Sequence, residues 1–357
     1  MKNLLKVSAS ISVTEIVLIF VALIKNKFLA VTIGTEGFGM FGLLTSLFNF
    51  LAIFAGGWVS IGLTKYLSEY SHLEYKKDQE KIISFSFTIT IIISLLIVFF
   101  VIIFRDFISN YFLSNSVPQS FLFIFSLSFI GNSLRPVYIN ILQGLQKITE
   151  IIYSRIAISI FEIISIISLI LIFDTIGFFY SILVSSLFFF LILLYFMKKE
   201  DISLSLSLNL NNHLVRKVIV FGFFNLGLGV INLGAIYLQN KLISFNIGIA
   251  SVGLFWAATS IKTYSDLIGR SSGFYFLPKM SKKLLVKDRL EEFNNYVFFS
   301  ILTYTFVMLS IIMFINKTIT ILFSEEFLPL ISILPIFLIA EFLHNLERPF
   351  TQTVVGM

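Results

Sequence analysis

Apolar positions along this chain come in long unbroken runs, and polar and charged residues gather in short clusters between them. Ile82–Phe104 and Thr175–Met197 are each 23 residues without a charge, and a helix of that length crosses a hydrocarbon core about 30 Å thick. Nowhere does the chain show the ten-residue apolar/polar alternation of a membrane barrel strand, so the spans are read as helices that satisfy their own backbone groups. The pattern predicts ten of them, at about 7–32, 39–63, 82–104, 118–142, 151–173, 175–197, 217–240, 246–274, 295–316 and 327–350. The expected fold class is an all-α polytopic membrane protein.

Composition agrees with that reading. The chain is 57% hydrophobic and 13% charged, with a mean hydropathy of +0.95, well outside the range of a soluble globular protein. The first apolar run follows Lys2 and Lys6 but carries Glu15 and continues to Ile24 without a small-residue cleavage site, so it is expected to stay as the first helix. There is no cysteine, which excludes disulfides, thiolate metal sites and cysteine nucleophiles. The net charge of +6 raises nucleic acid as a partner until the charges are placed. With the N-terminus inside, the inner segments hold 17 Lys and Arg and the outer ones 5. That asymmetry fixes the topology by the positive-inside rule. Both termini are expected in the cytoplasm, the chain in the bacterial cytoplasmic membrane, and nucleic acid is not a partner. No loop is long enough to form a soluble domain.

A repeat organises the spans. Asn26–Leu47, "NKFLAVTIGTEGFGMFGLLTSL", and Asn240–Ile261, "NKLISFNIGIASVGLFWAATSI", agree at eight of 22 ungapped places, 214 residues apart. Arg135-Pro136 and Arg348-Pro349 echo each other at a spacing of 213. Six spans separate the two copies, so both cross in the same direction. This predicts a parallel repeat with its site at the interface of the halves, a plan common among secondary transporters. Residues 1–214 are the expected N-terminal six-helix bundle and 215–357 the C-terminal one. The second bundle reaches only its fourth helix, about ten helices of an expected twelve.

"GTEGFGMFG" after the first span, "GLTKYLSEY" after the second and "LQGLQKITE" after the fourth resemble the polysaccharide-transporter (Wzx-type) branch of the multidrug/oligosaccharidyl-lipid/polysaccharide (MOP) exporter superfamily. The resemblance covers the whole chain and implies a MATE/MurJ-like architecture of two pseudo-symmetric bundles. It implies a flippase that carries an undecaprenyl-pyrophosphate-linked oligosaccharide to the outer leaflet for O-antigen, capsule or related polymers, with the polymerase and chain-length machinery as further partners. The first two helices of each half, here spans one, two, seven and eight, would line the cavity. No cofactor is implied.

Candidate residues follow from the physics of that task. A lipid pyrophosphate with its sugars crosses hydrocarbon only if a polar, cationic surface replaces water. On span eight Lys262, Asp266 and Arg270 stand at i, i+4 and i+8, on one helical face. Two bases and one acid make either a cationic pyrophosphate site or a structural ladder neutralised by Asp266. Lys27 and Lys241 mark the outer ends of spans one and seven, as a symmetric anion-receiving pair or as anchors that snorkel to the headgroups. Asn225, Asn232 and Gln239 are seven apart on span seven, either sugar-binding groups or interhelical glue. Glu15 and Asp266 are the candidate coupling or cavity carboxylates. Coupling by voltage is the alternative, at about 2.3 kcal/mol per charge per 100 mV. Glu162 is expected at the bundle periphery in an interhelical hydrogen bond. Arg135, beside the kink at Pro136, is expected to reach towards the inner headgroups. The glycines at 222, 227, 229 and 234 are expected to allow close packing.

Other classes fit less well. A membrane glycosyltransferase or polymerase would need acid groups in a sizeable outer loop, whereas Asp106, Asp174 and Glu325-Glu326 sit on short ones. His72, His213 and His344 show no metal spacing, and no GxxxxGK[ST] loop is present. An exporter of organic cations, the nearest rival, would want carboxylates to dominate the cavity.

Overall fold

A computed structural model of the chain describes residues 2–71, 76–199, 206–208, 213–264 and 286–356. Its helices are α1 (Lys2–Thr32), α2 (Gly34–Ala52), α3 (Trp58–Ser71), α4 (Lys76–Ile103), α5 (Gln119–Gly144), α6 (Ile148–Lys199), α7 (His213–Asn246), α8 (residues 249–264), α9 (Val286–Met313), α10 (Ile315–Leu322) and α11 (Leu334–Gly356). A π-helical turn, Ile53–Gly57, joins α2 to α3, so the expected second span is one continuous helical path. Among the described residues there is no strand. Among the described residues six helices are long and apolar enough to cross a membrane, or seven if the bent pair Glu325–Ser332 with Leu334–Phe350 is one span. The 52-residue α6 is broken at Asp174, whose φ of 52° and ψ of −141° leave the helical region. The boundary between spans five and six is expected at that residue.

Local sequence explains several of these ends. Gln146 at φ 58° closes α5, with the Lys147 amide donating to the Leu142 carbonyl at 2.8 Å and the Gln146 amide to that of Gln143 at 3.0 Å. This is the hydrogen-bond pattern of a left-handed helix stop. Gly34, at φ +63°, separates α1 from α2, and Gly248, at φ +118°, separates α7 from α8. A positive φ costs an L-residue roughly 1–2 kcal/mol and glycine almost nothing.

By proximity the chain forms two compact units, Glu36–Val252 (unit A) and Met1–Thr35 with Gly253–Met357 (unit B). Helix α7 packs on α3 and α4, and α1 packs on α10. The repeat boundary expected at 214/215 is therefore a different division from this grouping. The core of unit A runs through Trp58, Leu63, Ile82, Tyr138, Phe189 and Val218. Its helices also share polar seams: Ser94 and Ser133 hydroxyls lie 2.6 Å apart, Thr64 donates to the Asn140 side chain at 2.7 Å, and Ser186 donates to the Ser128 carbonyl at 3.1 Å. In lipid such bonds and close packing replace the hydrophobic drive between helices. The glycines of α7 serve close packing at three of the four expected places. A Cβ would fall 2.6 Å from the Trp58 ring at Gly222, 2.4 Å from Ile53 at Gly229 and 3.2 Å from Phe50 at Gly234, while Gly227 faces open space.

Candidate functional site

In unit B, Lys262 on α8 meets an acid the sequence reading passed over. Its Nζ lies 3.3 Å from the Glu341 carboxylate on α11. Glu341 is only 2% exposed, and one turn later Asn345 donates to its Oε1 at 2.6 Å. Burial of a carboxylate in a membrane helix is tolerable when a cation and hydrogen bonds compensate it. Asp266 and Arg270, the other two members of the expected face, lie outside the described residues. The expected charge balance of that face therefore changes: the Lys262 ammonium is matched by Glu341. The signal was available, since Glu341 is a lone acid in the apolar run Phe337–Leu343.

Lys27 and Lys241 differ. The Lys27 ammonium donates to the backbone carbonyls of Thr320, at 2.7 Å, and Phe323. There it caps the end of α10, where orphan carbonyls carry partial negative charge. Next to it, Asn26 donates to the Tyr264 hydroxyl at 2.7 Å. In unit A, Lys241 instead lies over the rings of Tyr111 and Phe112, at 5.3 and 5.5 Å from their centroids, a cation–π arrangement. Its neighbour Asn240 is fully buried, and neither of its amide atoms has a hydrogen-bond partner. The polar residues of α7 also divide. Asn225 donates to the Phe221 carbonyl of its own helix at 2.9 Å, while Asn232 and Gln239 are exposed. Glu15 lies half-buried on α1.

The structure corrects the expectation for Arg135 and places Glu162 beside it. Both line one cavity of about 350 Å³ inside unit A, with Thr45, Asn49 and Asn132. Glu162 stands 14 residues into α6 and 12 before the bend at Asp174, roughly 20 Å from either end at 1.5 Å per residue. The Arg135 guanidinium lies 5.8 Å from the Phe189 ring centroid, inside the helix bundle. Two lining atoms, Arg135 Nε and Thr45 Oγ1, are buried with no hydrogen-bond partner in the protein. Pro136, also on the wall, has no N–H to give the Asn132 carbonyl one turn before it. The apolar part of the lining includes Phe48 and Phe129, whose rings meet edge to face at 5.3 Å. The sequence held these residues on three helices at separations that no local pattern connects.

The class of protein is set by the fold. Over its whole length the chain is similar to an inward-facing multidrug resistance MATE family transporter of the MOP superfamily, with a TM-score of 0.71, 14% identity and 82% of that chain covered. An outward-facing MATE structure covers 98% of this chain and 81% of its own, with a TM-score of 0.67 and 14% identity. A MOP superfamily transporter from Pyrococcus furiosus, described as having a binding pocket of reverse polarity, gives a TM-score of 0.61 over 98% of this chain and 84% of its own, at 14% identity. Identity this low carries the fold and not the cargo. No curated protein sequence matches. Residues 4–282 match the family model described as "Polysaccharide biosynthesis protein", and the chain belongs to that family. It is a multi-pass membrane protein of transporter fold.

Proposed function

We propose that this chain is a flippase, which moves an undecaprenyl-pyrophosphate-linked oligosaccharide from the cytoplasmic to the outer leaflet for O-antigen, capsule or a related surface polymer. The observation that carries the reading is the family match over residues 4–282, joined to a fold shared with transporters. Lipid-linked sugars are the point at which a membrane transporter and polysaccharide synthesis meet. Alternating exposure of the site to the two faces would complete the cycle. With an inside-negative potential, outward movement of each negative charge gains about 2.3 kcal/mol per 100 mV.

The test is deletion of the gene in the source cell, with lipid-linked intermediates profiled by mass spectrometry and surface polymer measured alongside. Accumulation of a complete pyrophosphate-linked repeat unit with loss of surface polymer is the expected result. Accumulation of a unit lacking one sugar would assign a glycosyl transfer instead. Unchanged intermediates and polymer would overturn the proposal.

A further inference from the structure

From the cavity of unit A we infer a subsite for one neutral sugar ring of the cargo, distinct from any place that holds the pyrophosphate. The inference rests on the flippase reading for its biological meaning but on the cavity for its chemistry. About 350 Å³ lies at the small end of ligand pockets, which run from roughly 300 to 1,000 Å³ and combine apolar walls with a few convergent polar groups. Here the polar groups are Thr45, Asn49, Asn132, Arg135 and Glu162, set among phenylalanine rings.

Charge selects the ligand class. Arg135 and Glu162 present one positive and one negative side chain to the same space, close enough for their charges to interact. A pyrophosphate dianion would meet the Glu162 carboxylate, and an organic cation would meet the Arg135 guanidinium. A pyranose avoids both conflicts. Its hydroxyls each donate and accept, so they can serve the guanidinium, the carboxylate and the two amides together, while its C–H faces pack on phenylalanine rings. The cavity also has unmet demand. Buried polar atoms are nearly always satisfied, and leaving one unsatisfied costs about 1–3 kcal/mol. Arg135 Nε and Thr45 Oγ1 obtain no partner from the protein. Hydroxyls of a ring seated between them would supply both.

The experiment uses the purified full chain in nanodiscs, with saturation-transfer NMR and four probes: methyl glucopyranoside, methyl N-acetylglucosaminide, glucuronate and inorganic pyrophosphate. A neutral glycoside is expected to bind in preference to the two anions. Thr45→Val should weaken that binding about five- to tenfold, the effect of one lost hydrogen bond. Thr45→Ser, which keeps the hydroxyl, should retain it. Preference for glucuronate or pyrophosphate, no binding of either neutral glycoside, or equal binding by wild type and Thr45→Val would each overturn the subsite. The deletion experiment fails or succeeds separately: intermediates that accumulate while Thr45→Val binds normally would leave the flippase standing without this subsite. Unchanged intermediates with Thr45-dependent glycoside binding would do the reverse.

Discussion

The stretches Asn26–Gly34 and Asn240–Gly248 share Asn-Lys at their start and Ile-Gly at their end, and the structure uses them differently. In unit B, Asn26 donates to Tyr264, Lys27 caps α10, and Gly34 lies against Glu326, 2.6 Å from where a Cβ would stand. Glu326 in turn accepts from the Thr35 amide at 3.0 Å and from the Thr35 hydroxyl, serving the otherwise unpartnered start of α2. In unit A, Asn240 has no hydrogen-bond partner, Lys241 rests on aromatic rings, and Gly248 has nothing within 4 Å. The residue 214 places before Tyr264 is Phe50, which stacks on Tyr237 and has no hydroxyl to offer. Glycine allows the positive φ in both turns. The side chains diverge because each meets a different neighbour.

This comparison can be broken at its glycines first. Gly34→Ala is expected to combine backbone strain of about 1–2 kcal/mol with displacement of Glu326 from Thr35, another 1–3 kcal/mol or so. Gly248→Ala should show the strain alone. Thermal unfolding of the detergent-solubilised protein checks the difference, and equal losses would refute it.

Next in size is the charge pair of unit B, which has no counterpart in unit A, where the places 214 residues earlier are Phe48 and Leu127. Lys262→Met leaves the Glu341 carboxylate buried without its cation and should cost about 2–3 kcal/mol, below the fully buried case because the Lys262 side chain is 39% exposed. Lys262→Met with Glu341→Leu should recover most of the loss in the same unfolding assay. No recovery would show that the two groups act separately.

The lysines come third. Lys27→Met gives up charged hydrogen bonds to carbonyls, worth about 1.5–3 kcal/mol, whereas Lys241→Met gives up a cation–π contact of roughly 0.5–1 kcal/mol. A larger effect at Lys241 would reverse the assignment of roles. The smallest expected change sharpens the comparison instead. Phe50→Tyr restores to unit A the hydroxyl that unit B has at Tyr264, and should stabilise by about 1 kcal/mol by giving Asn240 a partner. A lower melting temperature would count against the correspondence.

How far the sequence could be read follows the same line. Long charge-free runs announce membrane helices because hydrocarbon admits no unsatisfied backbone. The break at Asp174 was legible as the charge that precedes the charge-free run Thr175–Met197, whereas the turn at Gly248 falls inside the expected eighth span. The site was legible only in part. Lys262 stood out as an intramembrane charge, but its acid partner sits 79 places later on another helix. Arg135 and Glu162 were visible as charges, but Arg135 was misread in position and their shared cavity was not visible.

The sequence by itself determined the medium, the helical class and the presence of costly intramembrane charges, since each depends on local composition. Only the tertiary structure decided that Glu341 answers Lys262, that Lys27 caps a helix while Lys241 lies on rings, and that Arg135, Glu162 and Thr45 share one cavity. In a membrane the lipid-facing and protein-facing sides of a helix are both apolar, so hydropathy does not record which face meets which neighbour. A hydrogen bond or ion pair reaches only about 3–4 Å, and the partner at that distance is chosen by helix packing.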